Sequence, residues 1–220
     1  MVIAYHLIMS AYGFWLTNDP RGSWSESIRK WQLYRFGEET KTGTRHSVAH
    51  VSHDWRLRER AKEVLSFPPV HFNGEQAREI GNGFASYVAK SGATMWACPI
   101  LPEHVHFVVA RHTYHVEQIA NLMKGEATKQ LVAAGQQPFL GRRDDEGFLP
   151  PCWGRRCWKV FIDDLEHLER AIKYVEENPT REATAAMVVR EAVSENLSRS
   201  DGGKGSRVGK RYGRPVGVAR

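Results

Sequence analysis

The run Leu101-Pro-Glu-His-Val-His-Phe-Val-Val109 sets two histidines around one apolar residue at the head of a β-branched, aromatic stretch. Side chains alternate across a strand, so residues two apart share a face. His104 and His106 therefore point the same way, about 7 Å apart along the backbone, and Val105 points the other way. Pro102 removes a backbone donor and ends the preceding strand, which suits a tight connection between neighbouring strands. Neutral imidazole is a common ligand for divalent ions, so two on one strand face make half of a metal site. The plainer alternative is a hydrogen-bonded polar rim.

Outward from this strand, the pattern is one of alternating strands and helices. Tyr5-His-Leu-Ile-Met-Ser-Ala-Tyr12 has strand composition and suits a central position. Asp54 can cap a helix carrying Leu57, Ala61, Val64 and Leu65, which Pro68-Pro69 ends. Asn73-Gly-Glu-Gln76 forms a capping-box pattern, with Ala77, Ile80, Phe84 and Val88 on one stripe and Gly92 as the stop. Ala93 to Ile100 reads as a strand leading into the histidine strand. Val116 to Ala134 reads as a helix with Val116, Ile119, Met123, Ala127 and Leu131 inward. Gln136 to Pro151 reads as a loop and Trp158 to Ile162 as a fourth strand. The order is that of the α+β, ferredoxin-like βαββαβ fold: an antiparallel sheet with helices on one face and the other face free for a ligand. Residues 13–54 read as an elaboration, with a short strand at Arg45 to Val51.

At 220 residues and 41% hydrophobic, the chain can bury one substantial core. We expect one domain over residues 1–198. No apolar run reaches the roughly 18 residues of a membrane span, and the first residues lack the basic flank of a signal peptide. Three cysteines make no full disulfide set, which points to a reducing cytoplasm, and Cys152 and Cys157 read as free thiols. The formal charge of +6 lies wholly in residues 199–220, where seven Lys/Arg stand against Asp201. With six glycines, that segment reads as a disordered basic tail, and the body is neutral. Phosphate binding by the body must come from local patches.

The last helix opens at Asp163 with Glu166 as a capping box, and Pro179 is expected to mark its end. Leu165, Leu168, Ile172 and Val175 form its apolar stripe. Tyr174 falls about 140° from that stripe at 100° per residue, where packing alone does not call for it. Asn178, four residues on, shares its face. A surface tyrosine beside a cap asparagine is the plainer alternative.

Leu101-Pro-Glu-His-Val-His106 resembles the HUH motif (His, bulky hydrophobe, His), and Ile172-Lys-Tyr-Val-Glu-Glu-Asn-Pro179 resembles the nucleophile helix of single-tyrosine HUH transposases. The nearest resemblance is to the REP-associated tyrosine transposases and their insertion-sequence relatives. Tyr12-Gly-Phe-Trp-Leu-Thr-Asn-Asp-Pro-Arg-Gly22 resembles the N-terminal signature of one branch. The likeness spans roughly residues 4 to 182. It implies the same ferredoxin-like fold, with His104 and His106 as metal ligands, Asn178 as the third and Tyr174 as the nucleophile. It departs from many relatives in having Asn as third ligand rather than Gln or Glu, and in the acidic pair Glu176-Glu177. Tyr114, in Arg111-His-Thr-Tyr-His115, is the rival nucleophile.

The chemistry suits these residue types. Mg²⁺ or Mn²⁺ on two imidazoles and an amide would neutralise and orient a scissile phosphodiester. A phenol attacking phosphorus would leave a 5′-phosphotyrosine and a free 3′-hydroxyl, and a second 3′-hydroxyl could reverse the step. No residue pattern supplies a general base. For the substrate, Trp96, Trp153 and Trp158 are candidates for base stacking, and Lys124, Lys129, Arg142, Arg143, Arg155 and Arg156 for phosphate contacts. For any one of these, a place in the core or on the solvated surface is the plainer alternative. The resemblance implies single-stranded DNA with hairpin or palindromic ends, a cytoplasmic bacterial setting and either a monomer or a homodimer. The alternatives are a DNA-binding protein of the same fold without catalysis and a metal-dependent hydrolase unrelated to DNA.

Overall fold

The computed structural model describes residues 1–20, 22–23, 31–40, 54–181 and 187–188. Strand β1 (Ala4–Ala11) pairs antiparallel with β4 (His104–Ala110) on one side and with β5 (Trp153–Ile162) on the other. Beyond β4 lie β2 (Met95–Ala97) and β3 (Pro99–Ile100), and β3 pairs with β6 (Met187–Val188). The sheet order β5-β1-β4-β3-β6 reproduces the arrangement expected of a ferredoxin-like βαββαβ chain.

One face of the sheet is covered by α2 (Gly74–Ser91) and α3 (Val116–Ala133). The expected caps hold α2: Asn73 and Gln76 form the reciprocal capping box, and Gly92 closes the helix at φ 67°. Phe84 and Ile80 from α2, with Ile119, Met123 and Leu131 from α3, pack on Leu7, Met9, Val105, Phe107 and Val109. Leu7 and Met9 on β1, and Val105, Phe107 and Val109 on β4, are spaced two apart, as strand alternation requires.

The opposite face is less open than expected. Helix α4 (Leu165–Arg181) lies on it and builds a second core from Leu168, Ala171 and Val175 against Ala4, Ala97, Val108 and Ile162. The buried stripe is therefore centred on Ala171, and Leu165, expected to lie inward, is 60% exposed. Asp164, not Asp163, caps this helix, accepting the His167 N–H at 2.7 Å. The helix passes through Pro179 to Arg181. The proline ring's fixed φ is helical, so the missing hydrogen bond costs one rung without breaking the last turn.

Two strand assignments also change. The stretch expected as one strand over Ala93–Ile100 splits at Cys98, because the pairing of β2 with β4 slips between Met95 and Ala97. Strand β5 starts at Trp153, five residues earlier than expected, across an irregularity between Met9 and Ala11 of β1. Gly154 makes that start possible, since a Cβ there would run into Ser10.

The early elaboration is anchored by α1 (Trp55–Glu63), capped by Asp54, and by a short 3₁₀ helix at Trp31–Phe36. Leu16, Leu33 and Ala61 form a small third core there. The strand expected at Arg45 to Val51 and the tail of residues 199–220 lie outside the described residues. No helix among the described residues is long and apolar enough to cross a membrane. The three cysteines are free thiols.

Candidate active site

Strand register brings three histidines to the α4 face. Ser10 opposes His104 and Ile8 opposes His106, so both imidazoles stand on the same side as His6, two residues from Ile8. The His104 and His106 rings lie 4.9 Å apart between centroids. His6 Nε2 lies 3.1 Å from His106 Nδ1, with the two rings nearly parallel. Phe14, in the turn that leaves β1, stacks flat on His104 at 5.2 Å. His6 is the residue that sequence reasoning missed. It sits two residues before Ile8 on the central strand, so its alternation phase carried the signal, but only the β1–β4 register places it beside His106.

All three rings are buried, at 3 to 7% exposure. Burial pushes His6 and His104 down to about 4, with the charge of His167 adding to the effect on His6. Burial, then His104 and His6 as neighbours, hold His106 well below the usual imidazole range. The imidazoles are therefore neutral near pH 7, and each keeps a nitrogen lone pair. Neutral imidazoles on one face, with an amide side chain on the helix above, form a donor set that fits a divalent cation.

Helix α4 supplies the tyrosine. The Tyr174 ring meets His6 at 5.9 Å and His106 at 6.1 Å, edge to face in both cases. Asn178, one turn further along, is buried at 4% exposure. At about 100° per residue, His167, Tyr174 and Asn178 fall within about 40° of one another around the helix. Tyr114 lies elsewhere, in the turn after β4, where it packs on His112 at 4.9 Å and is 39% exposed.

No protein-family model matches the sequence, and no curated protein matches it. Among solved structures, the chain is similar to a REP-associated tyrosine transposase bound to a REP hairpin: 12% identity over 82% of this chain and 68% of that one, TM-score 0.42. It is also similar to a candidate transposase from Deinococcus radiodurans R1: 14% identity over 81% of this chain and 91% of that one, TM-score 0.31. Both bear the name transposase.

The expected DNA contacts divide. Arg142, Arg143, Arg155, Arg156 and Lys129 are exposed, although Lys129 pairs with Glu126 at 2.7 Å. Trp158 is half-buried and meets His6 edge-on at 5.5 Å, on the same face as the histidines. Two of the expected contacts are corrected. Lys124 is 8% exposed and donates to the carbonyls of Gly154 at 2.7 Å and Arg156 at 2.9 Å. Its ammonium serves the backbone rather than a phosphate. Burial pushes it down to about 8, with the neighbouring Cys157 acting in the opposite direction. Trp153 is 6% exposed and packs on Phe72 and Phe84 in the main core, which takes it away from any base. Trp96 packs at the margin of the second core, under α4.

A further group of ligand-type side chains, Asp163, Asp164 and His167, lies at the start of α4 with ligand atoms within 4.8 Å of one another. Both carboxylates are exposed, and one oxygen of Asp164 already serves as the helix cap.

Proposed function

We propose that this chain cuts and rejoins single-stranded DNA by nucleophilic attack of Tyr174 on a phosphodiester, aided by a divalent metal at His104 and His106. The observation that carries this reading is the meeting of the Tyr174 ring with His106 and His6 on one buried face. That face brings a phenol nucleophile together with buried, neutral nitrogen ligands. Asn178, on the same side of α4 as Tyr174, is the third ligand we propose. Mg²⁺ or Mn²⁺, when bound, would neutralise charge on the phosphate and fix its orientation.

The residues divide the work. His104 and His106, held by β4, offer lone pairs and stay neutral because they are buried. Tyr174 Oη forms the new O–P bond as the bond to the departing 3′-oxygen breaks. The phenolic proton ends on that oxygen, giving a free 3′-hydroxyl and a 5′-phosphotyrosine. A second 3′-hydroxyl attacks the phosphotyrosine in the reverse sense, returning the proton to Tyr174 and joining the strands. Rigid placement on a helix that packs on the sheet supplies the positioning such a weak nucleophile needs. Arg142, Arg143, Arg155, Arg156 and Lys129 would hold phosphates, and Trp158 would stack a base. The substrate class we propose is single-stranded DNA with hairpin or palindromic ends.

The test is covalent trapping on hairpin-bearing single-stranded DNA with Mg²⁺ or Mn²⁺. Tyr174→Phe should lose the adduct and keep DNA binding, and Asn178→Ala should need more metal. An adduct that survives in Tyr174→Phe and vanishes in Tyr114→Phe would move the nucleophile. Cleavage in excess chelator would make the histidines structural.

A further inference from the structure

His6 belongs to neither the two-histidine strand nor the tyrosine helix, yet it is fixed between them. It is 6% exposed, opposes Val108 on β4 and Val160 on β5, and packs edge-on against Trp158 and Tyr174. Its one polar contact among the described residues is through Nε2 to His106 Nδ1, at 3.1 Å. Two neutral imidazoles joined nitrogen to nitrogen share a single proton, so the direction of this bond fixes the tautomer of both rings. If His106 Nδ1 donates, His106 Nε2 keeps its lone pair and can ligate. If His6 Nε2 donates, His106 Nε2 carries the hydrogen and cannot.

We propose that His6 is a positioning residue that accepts the Nδ1 hydrogen of His106 and thereby holds the His106 Nε2 lone pair toward a bound divalent ion. The proposal rests on the metal reading given above. Ligating histidines ordinarily donate their second nitrogen to a carboxylate or carbonyl, which orients the ring and raises its basicity. Here a second imidazole fills that place, in a pocket where a carboxylate would bring a buried charge. Its three packed sides also fix the His6 ring, so the acceptor cannot swing away when the site is empty or filled.

Two measurements on the full chain test this. The first is long-range ¹H–¹⁵N correlation on histidine-labelled protein without metal, which records which nitrogen of His106 carries hydrogen. We expect Nδ1 in the wild type. The second is Mn²⁺ titration of the wild type, His6→Phe and His6→Gln, each checked by thermal unfolding. Phenylalanine keeps the ring and removes the acceptor, so affinity should fall about 10- to 100-fold. Glutamine restores an acceptor oxygen and should recover most of the loss. Hydrogen on Nε2 of His106 in the wild type would overturn the proposal, as would wild-type Mn²⁺ affinity in His6→Phe. Should the phenylalanine variant fail to fold, the wild-type spectrum and the glutamine variant still decide. If the wild type binds no Mn²⁺ while His106 carries hydrogen on Nδ1, the metal reading fails and the proton placement by His6 stands.

Discussion

Gly83 of α2 and Ala127 of α3 approach so closely that a Cβ on the glycine would lie 2.5 Å from the alanine Cα and 2.7 Å from its backbone nitrogen. The obstacle is backbone, which cannot turn aside as a side chain can. Gly83→Ala should therefore cost about 1–3 kcal/mol, the usual range for overpacking. Gly125, on the exposed side of α3, has nothing within 4 Å of the same construction. Gly125→Ala should raise stability by up to about 1 kcal/mol, the helix-propensity difference. Urea unfolding of the two variants checks both signs, and equal effects would place the helix contact elsewhere.

Lys124 should behave as a structural group. Lys124→Met removes the donor to two carbonyls and should destabilise the fold by about 1–3 kcal/mol. It should leave the salt dependence of DNA binding unchanged. Replacing an exposed arginine such as Arg155 should do the reverse, keeping stability and flattening the slope of log affinity against log salt by about 0.7 per lost contact. Unfolding curves and salt titrations, measured together, separate the two roles.

The carboxylate of Glu126 bridges α3 to α2, bound by Lys129 at 2.7 Å and Lys90 at 2.6 Å. Hydrogen bonds from those two ammonium groups hold it down to about 2. A carboxyl that is more acidic folded than unfolded stabilises the native state above the ordinary carboxylate range. That contribution fades as pH falls through about 2. Both lysines are largely exposed, so solvent screens the pair and the gain at neutral pH is about 1 kcal/mol or less. Glu126→Gln should be less stable than the wild type at pH 7, with the difference shrinking steadily towards pH 2. A difference that holds constant with pH would show that packing, not charge, is lost.

Truncation after Ser198 removes all six net positive charges. It should weaken DNA binding at low salt and flatten its salt dependence while leaving the cleavage position unchanged. Salt titration paired with mapping of the cut site checks this. A shifted cut would give the tail a part in choosing the target.

What the sequence made legible was local. The Asn73 capping box and the Gly92 stop depend on residues within a turn of one another, and both stand as read. Strand alternation likewise put His104 and His106 on one face. What escaped depends on distant pairing. The burial of Lys124 follows from β5 passing beneath α3 at Gly154, thirty residues on, and nothing near position 124 signals it. Trp153 entered the core because β5 begins early, across the irregularity opposite β1. Asp164 displaced Asp163 as the cap through a one-residue offset that two adjacent aspartates leave open. His6 needed the β1–β4 register, which no single segment contains.

The Lys124 ammonium also changes what the rim of the sheet offers to other molecules. Among the described residues β5 pairs only with β1, so its far side is a terminal edge. Gly154 and Arg156 lie in the stretch of β5 where the pairing with β1 shifts register, and neither has a partner in that ladder. Such unpaired carbonyls invite a strand from another chain, a common route to aggregation. Here both acceptors are taken by a lysine from the chain's own helix. A foreign strand would meet occupied oxygens and a buried positive charge, so these two carbonyls offer it no acceptor.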